Sequence, residues 1–226
     1  MAKQARAIQT RRTILEAAGA VFDEFGYESA TIAEILSRAG VTKGALYFHF
    51  ASKEQLARGV LDAAITTEGV IPQESKLQEW VDVGMVLAHR LPQEPLLSAP
   101  IRLSADRRAR ELFGTSWAGW IDYLAEMLTV AKGQGELLPH VDPRQISMLF
   151  VSAWTGVEIV ATAAVSDGDT LEDRIAMLYD CFLPSIAVPG VLGRLDTAPD
   201  RGGRIWAAHK AQARAAADGD GQAVRG

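Results

Sequence analysis

Cysteine is almost absent from this sequence, and its scarcity bears on the redox environment of the protein. Cys181 is the single cysteine among 226 residues, so no disulfide can form within the chain. A chain without disulfides is typical of a reducing compartment. The first residues carry charge without an apolar stretch behind them, so we expect no secretory signal and a cytoplasmic protein. We expect Cys181 to be a small buried apolar residue.

The spacings that metal and catalytic sites need are also missing. The four histidines form no pair at i and i+4, and carboxylates, histidines and the lone cysteine are scattered without metal-ligand spacing. No nucleophile motif is present. We therefore expect no catalytic residues, no metal site and no cofactor, and we do not expect an enzyme.

Long apolar runs are scarce, and only one raises the question of a membrane span. Residues 146–165 contain a single charged residue, Glu158, near the middle. About 20 apolar residues can cross a bilayer, but a carboxylate at mid-depth is costly. We interpret this stretch as a buried helix at a protein interface, and we expect no membrane partner.

Charge is unevenly distributed along the chain. The net charge of −5 disfavours, taken alone, a nucleic-acid partner. Residues 1–60, however, carry eight basic and six acidic residues, and the first twelve carry four basic residues and no acidic one. The remainder carries 15 basic and 22 acidic residues. A basic arm before a helix is a common phosphate contact, although a solvated, frayed terminus has the same composition.

Strand-like alternation is missing over any useful length, and helical periodicity runs through most of the chain. Between positions 8 and 25 the apolar residues recur at steps of three and four, which predicts a helix that Gly26 ends. Thr31 with Glu34 three residues on is a capping-box pattern and predicts a second helix. Thr42 can cap a short third helix after a glycine-containing turn. Two helices joined by such a turn form a helix-turn-helix.

Capping and breaking signals place the later helices. Ser52 and Gln55 form another capping-box pattern, which opens a fourth helix through about Thr66. Repeated prolines leave room only for short helical pieces around 92–100. Further helices are predicted over 75–90, 106–132, 142–165 and 170–186, with one weak helix over 205–217.

The segment from Thr42 to His49 has the chemistry of a helix that reads DNA. Its leading end must be small or polar to enter the major groove. Thr42 offers a hydroxyl and a helix N-terminus to a phosphate, Lys43 reaches a base edge or a phosphate, and Gly44 lets the backbone approach closely. Tyr47 and His49 can hydrogen-bond phosphate oxygens, which positions the protein on the duplex.

The neighbouring residues complete the expected DNA-binding surface. Leu46, Phe48 and Phe50 are expected to pack the third helix against its own domain. Lys53, at the start of the fourth helix, adds a phosphate contact, and Thr31 completes the set of expected DNA contacts. The alternative is an ordinary helical hairpin whose aromatic residues are core.

These residues carry a resemblance to a known family. The segments GYESAT (26–31), GVTKGALYFHF (40–50) and SKE (52–54) resemble the DNA-binding domain of the TetR family of repressors. More narrowly, MAKQARAIQTR (1–11), GELLPHV (135–141) and LPSIAVP (183–189) are similar to the gamma-butyrolactone autoregulator receptors of antibiotic-producing actinobacteria. The resemblance implies an all-α homodimer that binds palindromic operator DNA, controls secondary-metabolite genes and is released by a small signalling lactone.

The helix predicted over 142–165 has two distinct faces. Ser152 and Gly156 lie four residues apart among apolar neighbours, so another helix can approach closely there. Thr155, Glu158 and Thr162 fall on a different line. One face can therefore meet a partner subunit and the other a cavity or solvent. Pairing of this helix and the next with their symmetry mates gives a four-helix interface.

Two residues are expected in a ligand pocket. Trp117 and Trp120 lie one turn apart, a pattern that core packing alone explains. The resemblance implies a different role for Trp120, because the tryptophan of this helix contacts the lactone in related receptors. Ligand sites are mostly apolar with a few orienting polar groups, and Thr162 is our candidate for one of these. A surface or core threonine is the alternative.

Together these observations predict an all-α repressor of two domains. Residues 1–52 form the three-helix helix-turn-helix DNA-binding domain, 53–195 the larger helical domain for ligand binding and dimerisation, and 196–226 a weakly helical or disordered tail. The expected inducer is a lactone of the gamma-butyrolactone or butenolide type. One alternative is a pseudo-receptor of the same fold that responds to an antibiotic or pathway intermediate. Another is a helical binding protein or enzyme whose helix-turn-helix is incidental.

Overall fold

The computed structural model describes residues 2–163 and 168–223, and within these ranges the regular structure is helical. The predicted all-α class is confirmed. The helices are α1 Ala2–Ser29, α2 Ile32–Ala39, α3 Lys43–His49, α4 Lys53–Ala63, α5 Lys76–Arg90, α6 Pro95–Ala105, α7 Arg107–Phe113, α8 Trp117–Gly133, α9 Pro143–Ala163, α10 Leu171–Phe182, α11 Pro189–Leu192 and α12 Arg201–Ala223. A 3-10 turn, Leu183–Ser185, follows α10, and an isolated bridge joins Leu137 to Ala187.

The chain forms two compact units whose limits differ from the ranges expected from sequence. The first unit comprises Met1–Thr66 with Leu91–Gly119, and the second comprises Thr67–Arg90 with Trp120–Gly226. Residues 53–66 belong to the first unit because one face of α4 is buried in its core. Leu103 of α6 and Ala109 of α7 are buried in the same core, which accounts for the return of the chain to this unit.

The first unit is built around the apolar face of α1. Its buried residues include Ile14, Ala18 and Phe22, at the predicted steps of three and four. The backbone of α6 approaches α1 so closely at Gly19 that a Cβ there would lie 3.0 Å from the Leu96 Cα. Gly26, at φ 74°, interrupts the helical backbone before a last short turn, as the periodicity predicts.

Two of the predicted helix limits need correction. The single helix expected over 106–132 is two helices, because Gly114 adopts φ 78° and ends α7. Asp106 still starts this region, since its Oδ1 accepts the Ala109 amide at 2.8 Å. The weak helix expected over 205–217 is longer and extends over Arg201–Ala223.

An aromatic cluster forms part of the core of the second unit. The Trp80 ring lies 4.3 Å from Phe150 and 5.4 Å from Tyr179, measured between centroids. Tyr179 is fully buried, and burial raises the pKa of its hydroxyl well above the usual value. Gly84 makes room for it, since a Cβ there would lie 2.1 Å from the Tyr179 hydroxyl oxygen.

Helix α12 is fixed to α5 by close packing and by a buried ion pair. A Cβ at Gly202 would lie 2.1 Å from the Met85 carbonyl oxygen, so only glycine permits this approach. Arg201 donates to both carboxylate oxygens of Asp82, at 2.6 and 2.9 Å. The Asp82 side chain is completely buried. Further along α12, the Trp206 ring lies 4.1 Å from the Arg90 guanidinium, so the C-terminal segment is an integral part of the second unit at least as far as Trp206.

Helix α9 is the helix that raised the question of a membrane. Pro143–Thr162 is long and apolar enough to cross a bilayer, and 28% of the apolar stretch is buried. Glu158 is nevertheless 6% exposed and faces inward with Phe150 and Trp154. Residues 164 and 165 of the predicted run lie outside the described residues.

The expectation for Cys181 is wrong. Its thiol is exposed on α10, because the buried residues of this helix, Ile175, Ala176 and Tyr179, occupy the opposite face.

Candidate DNA-binding surface and ligand-binding residues

The turn between α2 and α3 is fixed by glycine and by threonine caps. Thr31 Oγ1 accepts the Glu34 amide at 3.1 Å and starts α2. Gly40, at φ 62°, ends α2 in the left-handed conformation, and its amide donates to the Leu36 carbonyl. Thr42 Oγ1 then accepts the Ala45 amide at 3.2 Å and starts α3. This is the geometry of a helix-turn-helix, as the capping signals predict.

Helix α3 is anchored on one face and open on the other. Leu46 is completely buried and Phe50 is 4% exposed, so these two residues pack the helix against the first unit. Thr42, Lys43 and Gly44 are exposed at the leading end. A Cβ at Gly44 would meet only the Thr42 hydroxyl, at 4.0 Å, so this position is open to close approach.

The Tyr47 and His49 side chains flank the open face of α3. Tyr47 is 43% exposed, and the Lys43 ammonium lies 5.9 Å from its ring centroid. His49 is half-buried, with its ring perpendicular to that of Phe48 at 5.0 Å. The structure therefore brings Thr42, Lys43, Gly44 and Tyr47 together on one exposed surface, with His49 at its edge.

The expectation that Phe48 is a core residue is wrong. Phe48 is 81% exposed, more than Tyr47 beside it. A helix turns by about 100° per residue, so a residue two positions from both Leu46 and Phe50 lies on the side opposite to them. Tyr47 and Phe48 therefore face solvent while Phe50 faces the core, a difference that residue type alone did not indicate.

Thr31 and Lys53, the outer members of the predicted set, lie in different environments. The Thr31 side chain is exposed, and its hydroxyl can still donate while it caps α2. Lys53 is half-buried: its Nζ lies 4.4 Å from the Tyr27 ring centroid and donates to the Glu28 carbonyl at 3.2 Å. Burial lowers the pKa of Lys53, and the charge of Glu28 opposes this effect. An ammonium has three donors, so Lys53 retains two for another acceptor.

Sequence reasoning missed the position of Arg11. The Arg11 guanidinium lies 5.1 Å from the Phe50 ring centroid, which places a cation of α1 beside the end of α3. Its side chain is exposed. The basic composition of the first twelve residues indicated a positive arm, but only the packing of α1 shows which of its cations reaches α3.

The two expected ligand contacts differ in burial. Trp120 is 9% exposed, and its ring meets Tyr123 edge-on at 6.3 Å. Thr162 is exposed near the end of α9, and its hydroxyl donates within the helix to the carbonyls of Glu158 and Ile159, at 3.1 and 3.0 Å. Trp120 is thus placed among core residues, whereas the Thr162 hydroxyl is engaged by its own backbone.

Three buried polar side chains of the second unit stand out from its apolar core. Trp80 Nε1, Ser147 Oγ and Trp154 Nε1 have no hydrogen-bond partner among the described residues. A buried donor without a partner costs about 1–3 kcal/mol. Ser147 and Trp154 lie seven residues apart on α9, two turns along the same inward face. These donors could not be identified from the sequence, because burial decides whether an indole N–H is satisfied.

The small-residue face of α9 is exposed together with its apolar neighbours. Gly156 has no atom within 4 Å of a Cβ built there, and Ser152 is exposed beside it. The exposed large apolar residues on these two helices are Met148, Leu149, Ile159 and Val160 of α9 and Met177 of α10. Exposed apolar residues on one helix face make that face a candidate interaction site.

A comparison with known proteins decides the family. Residues 14–60 match the family described as "Bacterial regulatory proteins, tetR family". The A-factor receptor protein of Streptomyces griseus is 42% identical over 226 residues, which are 100% of this chain and 79% of that protein. The chain belongs to the TetR family. The predicted resemblance to its gamma-butyrolactone receptors is confirmed by this match together with a solved gamma-butyrolactone receptor.

Solved structures agree along most of this TetR-family chain. The TetR regulator TylP of Streptomyces fradiae is 41% identical with a TM-score of 0.84, over 90% of this chain and 99% of that one. A gamma-butyrolactone receptor described as ArpA-like is 28% identical with a TM-score of 0.64, over 89% and 98%. CprB of Streptomyces coelicolor, solved with its biological operator sequence, is 29% identical with a TM-score of 0.62, over 84% and 94%.

Proposed function

We propose that this TetR-family protein is a transcriptional repressor that binds a palindromic operator as a homodimer and is released by a small signalling lactone. The observation that carries the proposal is the open face of α3, anchored from behind by Leu46 and Phe50. The lactone class rests on the similarity to the A-factor receptor and to a gamma-butyrolactone receptor. Genes of secondary metabolism are the expected targets.

The DNA contacts divide into two groups by their chemistry. Lys43 and the open backbone at Gly44 are proposed to meet base edges in the major groove. Thr31, Thr42, Tyr47, His49 and Lys53 supply hydroxyl, imidazole and ammonium donors for phosphate oxygens, which fix the register of the protein on the duplex. The similarity to CprB, solved with its operator, supports this use of the surface.

Operator binding is tested by selection followed by mutation. The purified chain is used to select duplexes from a random library, and the affinity of the selected palindrome is measured by fluorescence anisotropy. Lys43→Ala and Tyr47→Ala are each expected to weaken binding about a hundredfold, because about 1–2 kcal/mol is lost with the contact in each of the two half-sites. Asp200→Ala, an exposed change in the second unit, is the matched control. Undiminished affinity in both α3 variants refutes the assignment.

The ligand is proposed to meet Trp120 and the unpartnered donors of the second unit. A lactone presents a carbonyl oxygen, which is a hydrogen-bond acceptor, on an otherwise largely apolar molecule. The indole N–H groups of Trp80 and Trp154 and the Ser147 hydroxyl supply donors in apolar surroundings. Binding of an acceptor relieves their desolvation cost, which favours the ligand-bound state. Thr162 is retained as a weaker candidate, because its hydroxyl oxygen can still accept a bond.

Release by ligand is tested with lactones of defined structure. Synthetic gamma-butyrolactones and butenolides of several chain lengths are titrated into the complex with the selected duplex, and dissociation by at least one of them is expected. Trp154→Phe removes the indole donor and keeps an aromatic ring, so it is expected to raise the lactone concentration needed for release about tenfold. Unchanged operator affinity across the whole series overturns the inducer assignment.

The homodimer is proposed to form through the exposed faces of α9 and α10. Apolar residues and the small residues Ser152 and Gly156 lie together there, so two α9 helices can approach closely. Pairing with a second copy buries this surface and forms a four-helix interface. A palindromic operator requires this symmetry, since each half-site meets one copy of α3.

A further inference from the structure

Phe48 is the most exposed of the large apolar side chains in the described part of the chain, at 81%. Exposed apolar residues are common on protein surfaces, but this one lies in the last turn of α3 between Tyr47 and His49. Burying a phenylalanine side chain contributes about 1.5–3 kcal/mol. A partner that covers this ring therefore gains affinity from it.

The direction of the ring follows from the anchoring of α3. Leu46 and Phe50 face the core, and Phe48 lies between them in sequence, on the opposite side of the helix. Gly44 is one turn before Phe48 and shares its face. Because no side chain projects at Gly44, a partner can approach that face of the helix and contact the ring.

The chemistry of the ring restricts what it can recognise on DNA. Phenylalanine has no hydrogen-bond donor or acceptor for a phosphate oxygen, unlike Tyr47 and His49, which flank it on the same face of α3. The major groove presents one apolar group, the C5-methyl of thymine, and an apolar side chain can read it. An exposed face with Phe48 at its centre and polar residues beside it thus matches the major groove, which has phosphates at its edges and the thymine methyl group on its floor.

We propose that Phe48 is a specificity-determining residue that recognises a thymine methyl group in each operator half-site. This inference rests on the proposed function, since it requires α3 to enter the major groove. It goes beyond operator binding because it predicts which base carries the contact and through which atom.

The experiment removes the methyl group alone. The probe is the palindromic duplex that the wild-type chain selects from a random library, with each symmetric pair of thymines replaced in turn by 2′-deoxyuridine. Losing one buried methyl group is expected to weaken binding about fourfold, and losing one in each half-site about fifteenfold. Phe48→Ala is expected to bind the thymine and uracil duplexes equally at that position, because the two changes remove the same contact.

Phe25→Ala is the matched control, because Phe25 is another exposed phenylalanine of the first unit, 44% exposed on α1. It is expected to keep the full response to uracil. If Phe48→Ala responds to every uracil substitution as the wild type does, or if no thymine matters to the wild type, the inference is overturned while operator binding stands. If Phe48→Ala changes the oligomeric state instead, the ring faces another protein, which also overturns it. Failure of the wild type to select any duplex refutes the proposed function itself.

Discussion

The ammonium of Lys53 lies 4.4 Å from the centre of the Tyr27 ring and links the start of α4 to the last turn of α1. Tyr27 in turn contacts Phe113 edge-on at 4.7 Å. Burial raises the pKa of Tyr27, with the charges of Glu54 and Glu28 acting in the same direction. A residue expected from sequence only as a phosphate contact is therefore also part of the packing of the first unit.

Because Lys53 has this double role, its substitution is expected to lower the stability of the fold, whereas substitution of Lys43 is not. Lys53→Ala is expected to lower the free energy of unfolding by about 1 kcal/mol, through the lost cation–π contact and hydrogen bond. Lys43→Ala is expected to change stability by less than about 0.5 kcal/mol because its side chain is exposed. Lys53→Ala should also reduce the salt dependence of operator binding by about one phosphate contact in each half-site. Urea denaturation and salt titration check the two effects, and equal stability of both variants contradicts the first.

The elements of the helix-turn-helix could be predicted from sequence because local signals determine them. Thr31 and Thr42 cap their helices through hydrogen bonds three residues away, and Gly26 adopts the positive φ that ends the regular part of α1. Such bonds join residues close in sequence, so a single segment is enough to predict them. The capping box of Thr170 and Asp173 is present for the same reason.

Properties that depend on distant contacts were not predictable in the same way. Phe48 and Cys181 were both expected to be buried from residue type, but the packing of α3 and α10 directs them outward. Residues 91–119 belong to the first unit through contacts with residues that are distant in sequence. The candidate ligand donors also escaped prediction, because the lack of a partner for Trp154 Nε1 is a property of its surroundings.

Because Arg201 forms a buried ion pair with Asp82, its substitution is expected to lower the free energy of unfolding much more than substitution of the nearby Arg204. Arg201→Ala leaves the fully buried Asp82 carboxylate without its cation, so we expect a loss of about 3 kcal/mol in the free energy of unfolding. Arg204 pairs with Asp196 and Asp200 but its side chain is 51% exposed, so Arg204→Ala is expected to cost less than about 1 kcal/mol. Chemical denaturation compares the two, and similar losses contradict the expected difference.

The start of α10 predicts a component of acid sensitivity. Asp173 accepts bonds from the hydroxyl and the amide of Thr170, at 2.6 and 2.9 Å, and these lower its pKa. A carboxyl whose pKa is lower in the folded state stabilises the fold above the unfolded pKa, near about 3.9, and loses this effect as the pH falls through the folded pKa. Asp173→Asn should therefore lower the Tm at neutral pH, and its Tm should converge with that of the wild type as the pH falls through the folded-state pKa of Asp173. Parallel Tm curves at every pH contradict the assignment.

The exposed face of α9 allows the proposed dimer to be broken without harming the fold. Nothing in the described structure lies within 4 Å of a Cβ at Gly156, so Gly156→Arg is expected to leave the secondary structure and the monomer intact. A guanidinium on that face, however, prevents close approach of a second α9 and requires a charge to be buried in an apolar interface. The variant should therefore sediment as a monomer where the wild type sediments as a dimer. Its operator affinity should fall at least about a hundredfold, because paired half-site binding is lost.

Gly190→Arg, at an equally open glycine of α11, is the matched control and should remain dimeric. A dimeric Gly156→Arg places the interface elsewhere on the chain.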